Sequence, residues 1–377
     1  MVVPGGVDRS GEYRVIPVLL ALLARLAARN EVHVFALRQE SRAANWELAG
    51  AHIHNIGSDF TILRAIQAIR AMHRASPFHL VQSIWSGTPG SVAVAAARIL
   101  RLPCLIHVAG GELVALAEIG YGGRMRWLGR MREATLLRAA TAVTAASKPM
   151  IEALAALGIS AQRLPLGVDL NSWPPREPVR RDLCKPARLI HVASLNRVKD
   201  QRTLLHALAS LSAMGLHFQM DLVGEDTLRG EIQALAVRLG LSQEVVFHGF
   251  LPQQRLLPLI RQAHLLIVSS RHEAGPMAVL EAGVEGVPTV GTAVGHIAEW
   301  APHAAISVTV GDWAALARAI ASVLADEDLR LKLARKAMQL ALTEDADCMA
   351  TSFQALYAKL LNRSAVRSKA LDADAER

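Results

Sequence analysis

The chain has 377 residues, of which 52% are hydrophobic, 20% charged and 4% aromatic. That is too long for one ordinary core and fits two domains of middling size. The formal net charge is +8, unevenly spread: residues 1–170 carry 18 Lys and Arg against 11 Asp and Glu (+7), and residues 171–377 carry 23 against 22 (+1). The longest apolar runs, 15–29 and 102–117, are broken by Arg25 and by His107, Gly110, Gly111 and Glu112, so neither reaches the roughly 20 residues a membrane span needs. The start shows no signal-peptide pattern. Cys104, Cys184 and Cys348 are scattered and odd in number, which gives neither a disulfide framework nor a metal spacing and makes the cytoplasm the default compartment. Nucleic acid is excluded as a partner because no aromatics interleave with the arginines. The Arg-rich stretch 122–138 could face anionic lipid at the inner face of a membrane, although a solvated basic helix reads the same way.

From the start, Gly5 and Gly6 form a glycine loop after a first strand that looks cut short, since only MVV precedes it. Short β-rich runs follow at EVHVFAL (31–37), FHLVQSI (78–84), PCLIHVA (103–109) and AVTAAS (142–147). Helical patterns lie between them, among them VIPVLLALLARLAAR, FTILRAIQAIRAMHRA and GSVAVAAARILR, the last with Thr88 as expected N-cap ahead of Pro89. This alternation predicts a doubly wound parallel sheet. Residues 170–187, with four prolines and a charge cluster, read as a linker.

The pattern then restarts. Strands are expected at ARLIHVAS, FQMDLVG, EVVFHGF, HLLIVSS and PTVGTAV, with helices between, and one long helix over DWAALARAIASVLADEDLRLKLARKAMQLAL. The expected division is an N-terminal α/β domain at 1–169, the linker, a second α/β domain at 188–350, a helix at 351–364 with room to return to the first domain, and a polar, disordered tail at 365–377.

Ligands of such sheets bind beyond the carboxyl ends of the strands, which confines chemistry to post-strand loops and helix N-termini. In SSRHEAGPMAVLEA a strand ends, a loop with Gly275 and Pro276 follows, and a helix starts near Met277. The free N–H groups of that first turn suit a phosphate. Glu273 on the loop and Glu281 inside the helix would repel a phosphate, so they should contact neutral hydroxyls. A phosphate flanked by hydroxyl-rich groups describes a nucleotide sugar. In HVASLNRVKDQ, Arg197 and Lys199 stand on a post-strand loop and could neutralise a departing diphosphate.

The pattern S-S-R-x-E-A-G-P-x-x-x-L-E-A-x-x-x-G-x-P resembles the signature of the retaining glycosyltransferases of family 4. The stretch TAASKPMIEALAALGISAQRLPLGVDL is similar to the segment that closes that family's first domain, and VGE followed by VVFHGFLP resembles its nucleotide-binding stretch. The resemblance implies the GT-B fold, α/β, with two facing Rossmann-like domains and an interdomain cleft. It implies that Glu273 holds donor-sugar hydroxyls and Glu281 the ribose. It also implies that Lys199 matches a diphosphate-binding Lys while Ser194 stands where an Arg is common, and that His107 approaches the donor sugar. Gly224, His248 and Gly249 fall in the implied donor-binding stretch.

No metal or other cofactor is expected, because the D-x-D pairs Asp345/Asp347 and Asp372/Asp374 lie far from any strand end. The expected activity is hexosyl transfer from a UDP- or GDP-sugar to a saccharide or lipid-linked saccharide of a bacterial envelope or exopolysaccharide. A GT-B-fold nucleotide-sugar epimerase and a non-catalytic nucleotide-sugar-binding member are the alternatives.

Overall fold

The computed structural model describes residues 1–375, with side chains through Arg363, and divides them into two compact units, 1–166 with 346–375 and 167–345. The first unit is built on eight strands: β1 (Val2–Val3), β2 (His33–Ala36), β3 (Ala44–Leu48), β4 (Ala51–Asn55), β5 (Val81–Ile84), β6 (Cys104–Val108), β7 (Ala142–Ala145) and β8 (Gln162–Arg163). Their order is β3-β4-β2-β1-β5-β6-β7-β8, parallel except for β3 against β4. Its helices are α1 (Pro17–Ala27), α2 (Thr61–Ala75), α3 (Gly87–Leu100), α4 (Trp127–Ala139) and α5 (Lys148–Ala155). Strand β1 is only two residues long, yet Val2 and Val3 are fully buried and paired with β2, and Val2 also with β5.

The second unit carries β9 (Ala187–Val192), β10 (Phe218–Val223), β11 (Val245–Gly249), β12 (Leu265–Val268), β13 (Thr289–Thr292) and β14 (Ala305–Val308), all parallel, in the order β11-β10-β9-β12-β13-β14. Around them lie α6 (Gln201–Ala213), α7 (Glu231–Arg238), α8 (Gln253–Gln262), α9 (Met277–Val284), α10 (Gly295–Trp300), α11 (Trp313–Ala325) and α12 (Glu327–Thr343). Two apolar cores sandwich this sheet. One is built on Leu204, Leu208 and Ile320, the other on Leu280, Val284 and Ile297. Burial on both faces is why the strands read as continuous Val/Leu/Ile runs.

Several local expectations are corrected. The hairpin β3–β4 has no counterpart in the sequence reading. Its turn is the two-residue Ala49–Gly50, both at positive φ (52° and 76°), the geometry of a tight hairpin without the usual Asn-Gly signal. The expected long helix is two, because Asp326 leaves helical geometry and its carboxylate caps α12 by accepting from Leu329 N at 2.9 Å. Helix α3 starts at Gly87 with Ser86 as N-cap, so Thr88 lies inside it. The expected linker 170–187 is irregular up to Pro186, as its prolines require, and ends on the first residue of β9, but it is no free tether. Trp173 is buried, Arg176 N donates to Val284 O at 2.9 Å, and Arg181 N donates to Glu327 Oε1 at 2.9 Å.

After α12 the chain forms α13 (Ala346–Ala375), which belongs to the first unit. Phe353 is fully buried there and Tyr357 Oη donates to Gln82 Oε1. Residues 365–375 continue its backbone where a disordered tail was expected, since SAVRSKALDADA holds neither Gly nor Pro to stop a helix; residues 376–377 lie outside the described residues. Asp347, expected to be plain solvated charge, pairs with Arg25 of α1 at 2.5 Å. Among the described residues no helix is long and apolar enough to cross a membrane.

Candidate functional site

In the second unit the strand order reverses direction between β9 and β12, which are neighbours although 72 residues separate the end of one from the start of the other. The loops leaving these two strands, 193–200 and 269–276, therefore flank the switch point where α/β sheets place ligands. Hydrogen bonds lock the two loops together. Arg271 N donates to Val198 O at 2.7 Å, and Ser269 Oγ donates to Lys199 O at 2.8 Å. Thr292 Oγ1 of β13 donates to Ser270 O at 2.6 Å.

The result is a contact that sequence spacing cannot express: Lys199 Nζ lies 2.6 Å from Glu273 Oε1, which also accepts from Ser270 Oγ at 2.6 Å. The Lys199 and Glu273 side chains are 24% and 11% exposed, so the pair is shielded but reachable. Beside it the loop Gly275–Pro276 leads into α9, whose N-cap Pro276 makes no side-chain cap. Val279 N donates to Pro276 O at 3.1 Å, so the Met277 and Ala278 N–H groups are the donors offered at this positive dipole end.

Supporting residues explain why this geometry holds. His191 is buried at the end of β9; its Nδ1–H donates to Ile267 O at 2.8 Å, which leaves Nε2 to accept from Gln201 Nε2 at 3.1 Å. Burial lowers its pKa to about 4, keeping the ring neutral in that role. Gln201 Nε2 also donates to Ser194 O at 3.1 Å, so Ser194 is held by its backbone and supplies no cation. Arg197 is exposed and makes no ion pair among the described residues. Gly295 opens α10 at φ 48°, where a Cβ would lie 2.8 Å from Pro276 Cδ and 3.2 Å from Glu273 O. Only glycine lets α10 press against the Glu273 loop. Sequence reading passed over His191, Gln201 and Gly295; a glycine three residues past the end of β13, at the start of a helix, is the signal that could have marked Gly295.

Glu281 is half-buried on α9, and burial raises its pKa to about 7, partly opposed by a hydrogen bond with the side chain of Gln253. Because the folded pKa exceeds the ordinary 4.5, the unfolded chain ionises first as pH rises. Stability tied to this group is present below about pH 4.5 and lost as pH climbs through 7. Glu281→Gln should therefore raise the melting temperature at pH 8, by an effect on the order of 3 kcal/mol at most, and change it little at pH 4. Equal shifts at both pH values would refute this.

His248 is tied down: Asp221 Oδ1 holds its Nε2 at 2.8 Å, and Asp221 Oδ2 also meets Arg188 at 3.4 Å. The ring is fixed by that contact with its side chain 24% exposed. Gly249 O accepts from Gly224 N at 2.9 Å, where the ends of β9, β10 and β11 converge.

In the first unit the reversal falls between β1 and β5. Gly6 N and Val7 N donate to Gln39 Oε1 at 2.7 and 3.0 Å, so a side-chain carbonyl shapes the glycine loop. Gly6 has φ 84° and a Cβ there would sit 2.5 Å from Ile16, while Gly5 lies against Gln39 itself. His107 corrects an expectation. It is fully buried, its Nδ1 is bonded to Thr144 Oγ1 at 2.9 Å, its ring lies 5.6 Å from that of Phe353, and burial lowers its pKa to about 3. It packs against α13 and is closed to solvent, where an open position at the strand end was expected. Ser86 and Glu133 went unread, and Glu112, on the loop after β6, was given no role. Glu112 accepts from Gly110 N at 2.7 Å and Ser86 N at 3.2 Å, and Glu133 accepts from Ser86 Oγ. Burial pushes both carboxyls above their usual range.

Residues 180–340 match the family model described as glycosyl transferases group 1, and residues 15–167 match a glycosyl transferase 4-like domain. The chain is 31% identical over 163 residues to the lipopolysaccharide core biosynthesis glycosyltransferase LpsE of Rhizobium meliloti, covering 42% of this chain and 46% of that protein. The chain spans about half the length or less of such curated relatives. Its fold matches sucrose-phosphate synthase from Thermosynechococcus elongatus with TM-score 0.78 at 20% identity, over 96% of this chain and 98% of that one. It also matches Anabaena HepE, solved in complex with UDP-glucose, with TM-score 0.73 at 18% identity, over 95% and 98%.

Proposed function

Because this chain belongs to the group 1 glycosyltransferase family and has the two Rossmann-like domains of the GT-B fold, we propose that it transfers a hexosyl group, with retention, from a UDP- or GDP-sugar to a saccharide or lipid-linked saccharide acceptor. The observation that carries this reading is the Lys199–Glu273 pair at the β9/β12 switch point, 2.6 Å apart beside the uncapped start of α9. Lys199 and the Met277 and Ala278 amides suit a diphosphate, which they would stabilise as it leaves. Glu273 suits sugar hydroxyls, and Glu281 suits a ribose in its ionised form. That UDP-glucose is bound by HepE, which shares the fold, favours a uridine donor.

Transfer on this reading needs no metal, since Lys199 and the helix dipole supply the positive charge. Envelope or exopolysaccharide synthesis fits the similarity to LpsE. Contact with an anionic membrane is favoured by α4, where Trp127, Leu128 and Met131 are 60–61% exposed beside the exposed Arg126, Arg130 and Arg132.

Calorimetry against UDP- and GDP-sugars tests the donor, and the anomeric configuration of the product, read by NMR, tests retention. Binding of one nucleotide class with transfer to a saccharide is expected. An altered sugar from donor alone would make the protein an epimerase, and binding without turnover would make it a non-catalytic member. Failure to sediment with phosphatidylglycerol vesicles would remove the membrane contact.

A further inference from the structure

At the far end of the first unit's sheet, where the parallel strands begin, lies a cluster of imidazoles that sugar transfer does not use. His33 opens β2 and pairs in register with His52 of β4, and His54 projects from the same face as His52. Glu31 precedes β2. One ligand atom each from Glu31, His33 and His52 lies within 4.8 Å of the others, and Glu31 Oε1 stands 3.0 Å from His33 Nε2. The cluster is stiff: His33 is 7% exposed, stacked on His54 with ring centroids 5.2 Å apart, and closed off by Phe78 at 5.2 Å. Ser76 Oγ donates to Glu31 Oε2 at 3.2 Å and aims the carboxylate.

The hydrogen-bond order within the cluster points to a cation. Asn45 presents its carbonyl oxygen to His54 Nδ1 at 2.9 Å, so that nitrogen carries the proton and His54 Nε2 is an acceptor. His54 Nε2 meets His33 Nδ1 at 2.9 Å, which makes His33 Nδ1 the donor. His33 Nε2 is then left with a lone pair facing a carboxylate oxygen. Two acceptors at that distance repel unless a proton, which makes an imidazolium–carboxylate pair, or a metal ion lies between them; only a metal ion would also draw in the ligand atom of His52. A relay that donates into one ring nitrogen's partner and turns the other toward an open site is how metal-binding imidazoles are oriented.

We propose that Glu31, His33 and His52 form a binding site for a divalent transition metal, with zinc the ion of best fit. Two imidazoles and a carboxylate are a zinc donor set. Tetrahedral zinc with bonds of about 2.0–2.1 Å needs donors roughly 3.3 Å apart, close to the spacing of Glu31 and His33. Water completes the fourth position. Glu31 and His33 also line a cavity of about 670 Å³ at this end of the unit, which gives the ion a path in. Since β2 and β4 begin here and the ligand loops leave from their opposite ends, the ion clamps two strands to the segment before β2 and takes no part in transfer. The sequence reading, which expected no metal, could not see the site, because its ligands come from two strands and never form a spaced motif.

The test uses the full chain, untagged and stripped with chelator. Titration with zinc should show one tight equivalent by calorimetry and a rise in melting temperature on the order of 5 °C at saturation. Cobalt(II) should give the intense visible bands of a tetrahedral centre. Glu31→Gln and His52→Gln alter open side chains, so both variants should fold, and each should weaken zinc binding at least ~10-fold. Absence of a tight equivalent overturns the proposal. So does a tight equivalent whose affinity neither substitution changes.

Discussion

Glu273→Gln is expected to lower kcat/KM for sugar transfer by roughly 10²–10³-fold, the loss typical of removing one preorganised charge from a reacting centre. Glutamine keeps the shape and can still accept from Ser270, but it no longer neutralises Lys199 at 2.6 Å. The ammonium is then freed to move, and the carboxylate that would hold sugar hydroxyls is gone. Lys199→Met should cause a loss of similar size, and the double variant should be little worse than either single one, because the two side chains act as one unit. Breaking the partly shielded pair should cost on the order of 1–2 kcal/mol of stability, too little to unfold the protein, so circular dichroism should stay native. A Glu273→Gln enzyme with near-normal kcat/KM would end the assignment of this pair to the reacting centre.

The largest structural effect is expected at Gly224. Its φ is 152°, and a Cβ there would sit 2.0 Å from Ala193 O and 2.8 Å from Ser194 N, both backbone atoms of the loop that carries Lys199. No side-chain rotation relieves such a clash. Gly224→Ala should cost about 3–5 kcal/mol and displace the loop, so denaturant melts should show early unfolding and donor binding should fall with it. Gly215→Ala is the matched control. It too has positive φ (78°), but no atom lies within 4 Å of the added methyl, so its cost should stay near 1 kcal/mol. If the two substitutions behave alike, backbone crowding at Gly224 is not what fixes the loop.

Much of the fold was legible because burial on both faces writes itself into composition. Runs such as HLLIVSS and ARLIHVAS can only be inner strands of a parallel sheet, and β12 and β9 lie within them. The hairpin β3–β4 was missed because Ala49–Gly50 lacks a strong turn signal and the edge strand is only half-buried. The break at Asp326 was missed because one residue leaving helical geometry does not disturb the apolar period on either side. In the site, Glu273, Glu281 and Lys199 stood out by residue type and position after strands. His107 was misread for a different reason. Residue type and position say that it ends a strand, but the covering element, α13, comes from residues 346 onward. Phe353 turns what looked like an open mouth into a packed interior.

The linear chain alone established two α/β units, parallel sheets and which loops leave the carboxyl ends of the strands, since each follows from local period and turn chemistry. It also established the acidic and basic residues on those loops. Tertiary structure alone decided that Lys199 meets Glu273, that His107 is sealed, that Gly224 and Gly295 admit no side chain, and that Glu31, His33 and His52 converge. Each of these depends on strand order and on backbones approaching one another across long stretches of chain. Contact distance and burial are properties of that arrangement and not of any local sequence.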